Sequence, residues 1–271
     1  LLAVVLGINL LGRKQNAAAG FFRFHPSGCC GIIRRRFPRT DPLNIQRGRL
    51  QGSRKERSTM LTETRLREAI VWVCRRLERK GLVAASDGNV SCRLCEQCIL
   101  ITPSGRAKSE LVPLDLLVTD LDGNVLRGRG KPSTEIRMHL LVYEKRPDVQ
   151  AVVHAHPPLL TALSLAGKAF PAAALPEVWA ILGPVPTAGY ATPGTDEVPQ
   201  SISPFVERHD AILLERHGVL TVAENLKKAY YLVEKMEHAA ATFFYARLLS
   251  GAPLQSLPPG ALQALKKPAA T

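Results

Sequence analysis

The sequence predicts an α/β protein whose sheet is antiparallel or mixed, not a purely parallel wound sheet. Three observations carry this. Segments with helical apolar spacing interleave with short strand-like apolar segments along the chain. Several neighbouring strand candidates are joined by turns too tight for the crossover that a parallel pair needs. The 271 residues are 46% apolar and 22% charged, enough for one sizeable core or for one domain plus an appendage, and too apolar for a disordered chain.

The front of the chain stands apart. Residues 1–59 carry 12 Lys and Arg against 2 Asp and Glu, whereas residues 60–271 carry 24 against 21, so most of the net charge of +13 sits in the front. A nucleic-acid role would rest on that front alone, and we expect neither a nucleic-acid nor a membrane partner. No window of 18 uninterrupted apolar residues indicates a membrane-spanning helix. In Leu1–Gly12 the apolar run precedes its charges, the reverse of a secretory signal, while Arg-rich, acid-poor composition also suits a transit peptide. Met60 is the first methionine, and Lys55-Glu56 can be encoded by a purine run able to pair with bacterial ribosomal RNA. We therefore expect translation from Met60, with residues 1–59 a basic extension outside the working domain. The domain itself is expected over residues 60–251, with a Pro-containing tail at 252–271 and a cytoplasmic location.

The elements follow in order. Leu66, Ile70, Val73, Cys74 and Leu77 mark one face of a helix, and Gly81 stops it. Asn89–Arg93 and Cys98–Thr102 read as strands. Between them Cys92, Cys95 and Cys98 are spaced like part of an iron–sulfur run. In a chain without a secretion signal, reduced thiols on a hairpin are the expectation. Residues 116–120 and 125–126 bracket Asp122-Gly123, a hairpin signal. Thr134–Lys145 has helical spacing and ends before Pro147. Val149–His154 is a buried-strand run, and Leu159–Leu165 a helix. Residues 171–193, rich in Pro and Gly, read as loop with one short strand. A helix is expected over Asp196–Arg208, strands over Ala211–Leu214 and Val219–Val222, and a long helix over Asn225–Leu249 that Gly251 ends.

Chemistry concentrates in Ala151-Val152-Val153-His154-Ala155-His156-Pro157. Side chains alternate on a strand, so His154 and His156 share a face and can grip one metal ion. Catalytic zinc uses three protein ligands and leaves a position open. His217, at the turn between two strands, is an available third. His139, four residues after Glu135, reads as packed or as supporting the site; His25, His209 and His238 are not assigned to the metal. Three polar turns accompany the histidines: Asp87-Gly88-Asn89-Val90-Ser91, Thr102-Pro103-Ser104-Gly105 and Lys131-Pro132-Ser133-Thr134-Glu135. Together they suggest a phosphate pocket beside a metal. Glu135 would be a proton carrier next to it, burial raising its pKa and a cation lowering it.

These motifs, with Tyr190-Ala191-Thr192-Pro193-Gly194-Thr195 and His217-Gly218, occur in an order that resembles the class II aldolase/adducin family over about residues 60–250. Within it they are most similar to the sugar-phosphate aldolases of the L-fuculose-phosphate type. The resemblance implies a three-layer α/β/α subunit with a mostly antiparallel sheet, assembled as a homotetramer with sites between subunits. It implies that His154, His156 and His217 ligate Zn2+, one per subunit. Glu135 would be the acid/base and an additional zinc ligand when substrate is absent. Gly88, Asn89, Ser104, Gly105, Ser133 and Thr134 would bind phosphate. The implied reaction cleaves a ketose 1-phosphate to dihydroxyacetone phosphate and an aldehyde through a metal-stabilised enediolate.

Two departures concern the aldehyde end. Residues 171–177 carry no tyrosine where the family's fuculose enzymes do, and residues 252–271 carry no aromatic residue. A more apolar pocket for a deoxy or thiomethyl sugar phosphate is expected. Methylthioribulose-1-phosphate dehydratase, ribulose-5-phosphate 4-epimerase and a non-catalytic adducin-like scaffold stand as alternatives. The epimerases carry Asp where this chain has Glu135, and the scaffold branch lacks the metal histidines.

Overall fold

The computed structural model describes residues 54–265; the basic front up to residue 53 and the last six residues lie outside them. The strands are β1 (Asn89–Cys95), β2 (Cys98–Ile101), β3 (Leu117–Asp120), β4 (Val125–Arg127), β5 (Ala151–Ala155), β6 (Thr187–Ala188), β7 (Ala211–Leu214) and β8 (Gly218–Ala223). They form one sheet in the order β4-β3-β2-β1-β5-β8-β7-β6. Every neighbouring pair is antiparallel except β6 with β7. The tight turns foretell this: β1–β2, β3–β4 and β7–β8 are all local hairpins.

The helices are α1 (Arg54–Arg79), α2 (Ile136–Lys145), α3 (Pro158–Leu165), α4 (Pro176–Leu182), α5 (Glu197–Ile202), α6 (Leu226–Ser250) and α7 (Pro259–Ala264). They cover both faces of the sheet. On one, Ile70, Val73 and Leu77 of α1, Leu160 of α3 and Tyr230, Val233 and Met236 of α6 pack on Val90, Leu100, Val118, Val153 and Leu213. On the other, Met138, Val142 and Tyr143 of α2 and Val198 and Ile202 of α5 pack on Ile99, Ile101, Leu117, Val152, Ile212 and Leu220. The alternation of strand residues between two cores is what makes three layers. Each fully buried Leu or Ile stabilises by about 1.5–3 kcal/mol relative to leaving it in water.

Four expectations need correction. The Pro- and Gly-rich stretch 171–193 contains helix α4 as well as the short strand β6. Pro176 occupies its first turn, where the missing N–H costs nothing, and Val178 and Leu182 bury one turn apart. The helix expected over 196–208 ends at Ile202. Pro204 cannot donate to the helical ladder, and the chain continues in turns. The tail contains α7, docked by the Trp179 Nε1–H on the Leu262 carbonyl (2.9 Å) and the Leu257 N–H on that of Ala173 (2.8 Å). Cys95 and Cys98, expected as reduced thiols, are joined in a disulfide. The hairpin register sets them directly opposite, Cα to Cα 5.0 Å. Cys74 and Cys92 are free and buried.

Candidate metal centre

Strand β5 lies between β1 and β8, so its residues are buried on both faces. Val153 and Ala155 point to the α1/α6 side and Val152 to the α2 side. By alternation His154 joins Val152, and His156, just past the strand end, follows it. His154 is fully buried, and its Nδ1–H donates to the Val219 carbonyl on β8 at 3.0 Å. That bond fixes the tautomer and leaves Nε2 as a lone pair. The His156 N–H is held by the Leu82 carbonyl at 3.0 Å, and its Nδ1 lies 3.6 Å from Asp87 Oδ2.

His217 arrives from the β7–β8 turn. Arg216 takes φ +59 there, a left-handed value that a side chain tolerates at a cost, and its N–H is caught by Ser164 Oγ at 3.0 Å. Gly218 then lets β8 press against the end of β5. A Cβ at that position would collide with the Ala155 carbonyl and come within 2.9 Å of the His156 ring.

The three imidazoles meet with ring centroids 4.7, 4.7 and 4.9 Å apart. Glu135, immediately before α2, closes the group: its Oε2 is 3.3 Å from His154 Nε2 and its Oε1 3.2 Å from His217 Nε2. One ligand atom from each of the four lies within 4.8 Å of all the others. The residues fit a divalent cation on two counts. The Nε2 atoms of His154 and His156 face each other at 2.9 Å, close enough for one cation to take both lone pairs. Glu135 Oε1 is buried without a hydrogen-bond partner.

Electrostatics agree. Burial pushes His154 well below the ordinary imidazole range and, with the neighbouring His217, lowers His156, so both are neutral, the form that ligates a metal. Burial alone would raise Glu135. The imidazoles of His154 and His217 and the Asn89 amide outweigh it and hold the carboxyl below the usual carboxylate range.

The three polar turns converge on the same place. A cleft of about 400 Å³ is lined by Gly88, Asn89, Ser104, Gly105, Ser133, Thr134, Glu135, His156 and His217, among others. Two of the turns are tied to each other: the Ser104 N–H donates to the Lys131 carbonyl and the Ser133 N–H to that of Thr102. Asn89 is placed differently from the other turn residues. Its carboxamide donates to Glu135 Oε2 at 2.8 Å and contacts His139 Nε2 at 2.5 Å. Two supporting residues carry no role of their own in the sequence. Asp87 faces the His156 ring, a position marked only by its proximity to Gly88. Lys108, 1% exposed, donates its Nζ to the carbonyls of Ser86 (2.7 Å) and Arg106 (3.2 Å) and so braces two turns. No sequence pattern distinguishes it from a surface lysine.

Residues 68–244 match the class II aldolase and adducin N-terminal domain family. The chain belongs to this family. Among class II aldolases it is 34% identical over 183 residues to a 5-deoxy-D-ribulose 1-phosphate aldolase of Bacillus thuringiensis, covering 67% of this chain and 85% of the relative. It is 34% identical over 184 residues to an L-fuculose phosphate aldolase of Escherichia coli, covering 68% and 84%. A solved L-fuculose 1-phosphate aldolase superposes with a TM-score of 0.68 at 32% identity, over 74% of this chain and 93% of that one. The class II aldolase fold and the α/β/α layering expected from the motifs are thereby established, together with a histidine–glutamate cluster able to hold a metal. No described helix is long and apolar enough to cross a membrane.

Proposed function

We propose that this protein is a zinc-dependent aldehyde-lyase. It cleaves a ketose 1-phosphate, L-fuculose 1-phosphate or a related deoxy-sugar phosphate, to dihydroxyacetone phosphate and an aldehyde. It acts in the cytoplasm as a homotetramer with sites at subunit interfaces. The observation that carries the reading is the convergence of His154, His156, His217 and Glu135 with three polar turns in one cleft. The names of two relatives, a 5-deoxy-D-ribulose 1-phosphate aldolase and an L-fuculose phosphate aldolase, support the substrate class.

His154, His156 and His217 would hold the zinc, which supplies Lewis acidity for a carbonyl oxygen and for the charge left when a carbon–carbon bond breaks. The turns take the phosphate with the backbone N–H groups of Gly88, Gly105 and Thr134 and the hydroxyls of Ser104, Ser133 and Thr134, fixing the ketose so that its carbonyl end reaches the histidines. Glu135 moves the proton: it gives one to the freed carbon in cleavage and removes one in condensation. Its ionised state in the folded protein is the form needed for removal.

The test is a panel of ketose 1-phosphates on zinc-loaded protein with release of dihydroxyacetone phosphate as the readout. Release from deoxyketose phosphates supports the proposal. Loss of water without dihydroxyacetone phosphate would assign a dehydratase instead.

A further inference from the structure

The α2 face of the sheet holds an unbroken line of buried polar groups leading away from Glu135. Asn89 Nδ2 lies 2.8 Å from Glu135 Oε2, and Asn89 Oδ1 lies 2.5 Å from His139 Nε2. His139 Nδ1 lies 2.6 Å from Ser91 Oγ, which lies 2.8 Å from Tyr143 OH. Asn89, Ser91, His139 and Tyr143 are 3, 0, 0 and 2% exposed. The line therefore sits inside the apolar core between α2 and β1, where polar groups are costly unless each is partnered. A core of this size could have been closed with leucine or valine at these positions.

Donor and acceptor chemistry gives the line one direction. An ionised carboxylate only accepts, so the Asn89 amide presents its NH2 to Glu135. The Asn89 oxygen only accepts, so His139 Nε2 carries the proton. His139 is neutral, because burial lowers it to about 4, so its Nδ1 accepts from the Ser91 hydroxyl. Ser91 in turn accepts from Tyr143. Reversing any one link reverses the next. If His139 carried its proton on Nδ1, Asn89 would have to flip to donate to Nε2, and its oxygen would then face the Glu135 carboxylate.

We propose that His139, locked by Ser91 and Tyr143 as its Nε2–H tautomer, is a positioning residue that acts through Asn89 to hold and orient the Glu135 carboxylate for proton transfer. This rests on the proposed acid/base role of Glu135. None of His139, Ser91 or Tyr143 lines the cleft. Their substitution should therefore change turnover and leave substrate affinity alone.

Two measurements on the full chain test it. The first is independent of activity: nitrogen NMR of ring-labelled histidine in the metal-free protein. His139 should read as the neutral Nε2–H form in the wild type. An Nδ1–H form in the wild type overturns the proposal, whatever the reaction proves to be. The second follows exchange of the dihydroxyacetone phosphate carbon-bound proton in D2O by zinc-loaded protein. His139→Leu should slow exchange about 10–100-fold with KM within about twofold and zinc content unchanged. His139→Gln, whose amide N–H can replace Nε2–H, should recover most of the loss. Exchange at the wild-type rate in folded Ser91→Ala, or no recovery in folded His139→Gln, overturns it. If the wild type exchanges no proton, the aldolase reading has failed and the tautomer alone decides this one.

Discussion

His156 stands at the mouth of the cleft, and on the proposed zinc reading its loss would leave two imidazoles where three are needed. His156→Ala is expected to keep less than about a tenth of the bound zinc after gel filtration and to lose activity with it, as metal analysis by mass spectrometry will show. Glu135→Gln keeps the size and most of the contacts of the carboxyl but cannot carry the proton. It should fold and bind zinc while deuterium exchange into dihydroxyacetone phosphate falls by about 10²–10⁴-fold; undiminished exchange would remove Glu135 from the mechanism. His139 makes a pH prediction. Its ordinary value is 6.5 and burial lowers it to about 4. Between these values the unfolded chain binds a proton that the folded chain refuses. Stability is therefore lost as the pH falls through this window, by up to roughly 3 kcal/mol below it. Urea unfolding of metal-free protein at pH 7 and 4.5 should show a larger acid loss in the wild type than in His139→Gln. At this scale the sequence was most legible where side-chain alternation operates: the shared face of His154 and His156 needed only the strand period. The roles of Lys108 and Asp87 were not legible, because their partners come from other turns and no local spacing encodes them.

Helix α3 begins shortly after β5, and its first N–H groups are satisfied from another helix. The Leu159 and Leu160 N–H groups donate to the two carboxylate oxygens of Glu237 on α6, at 2.9 and 3.0 Å. This is a cap that no local sequence signal provides, since Pro157 and Pro158 precede it and no side chain caps from within. Glu237→Ala should destabilise by about 1–2 kcal/mol, read as a lower urea midpoint with unchanged slope. By contrast, α6 begins with a legible cap: Asn225 Oδ1 accepts from the Lys228 N–H at 2.8 Å, and Gly251 closes the far end with φ +61. Elements of this self-contained kind were readable from sequence. Helix α4 was not, because Pro and Gly density reads as loop until Val178 and Leu182 are seen to bury.

The two cores on either side of the sheet are what hold His154, His156, His217 and Glu135 in one place. Helix α1 contributes to the first of them from Leu66 onward, with Ile70, Val73, Cys74 and Leu77 at its centre. A chain beginning at Met60 retains all of these. It should match the melting temperature of the 271-residue chain within about two degrees and keep its activity; a loss of more than about 1 kcal/mol would show that the basic front supports the fold. Local rules acting on the sequence alone determined the strand and helix order, the shared face of His154 and His156, and the polar turns, because each depends on a period of two or 3.6 residues or on the chemistry of a few neighbours. Only the tertiary structure decided that His217 and Glu135 complete the cluster. It alone placed Cys95 opposite Cys98, and it turned the Asn89 amide inward to Glu135 and His139. Those outcomes depend on sheet register and layer packing, which join residues tens of positions apart and which no local pattern in the chain can carry.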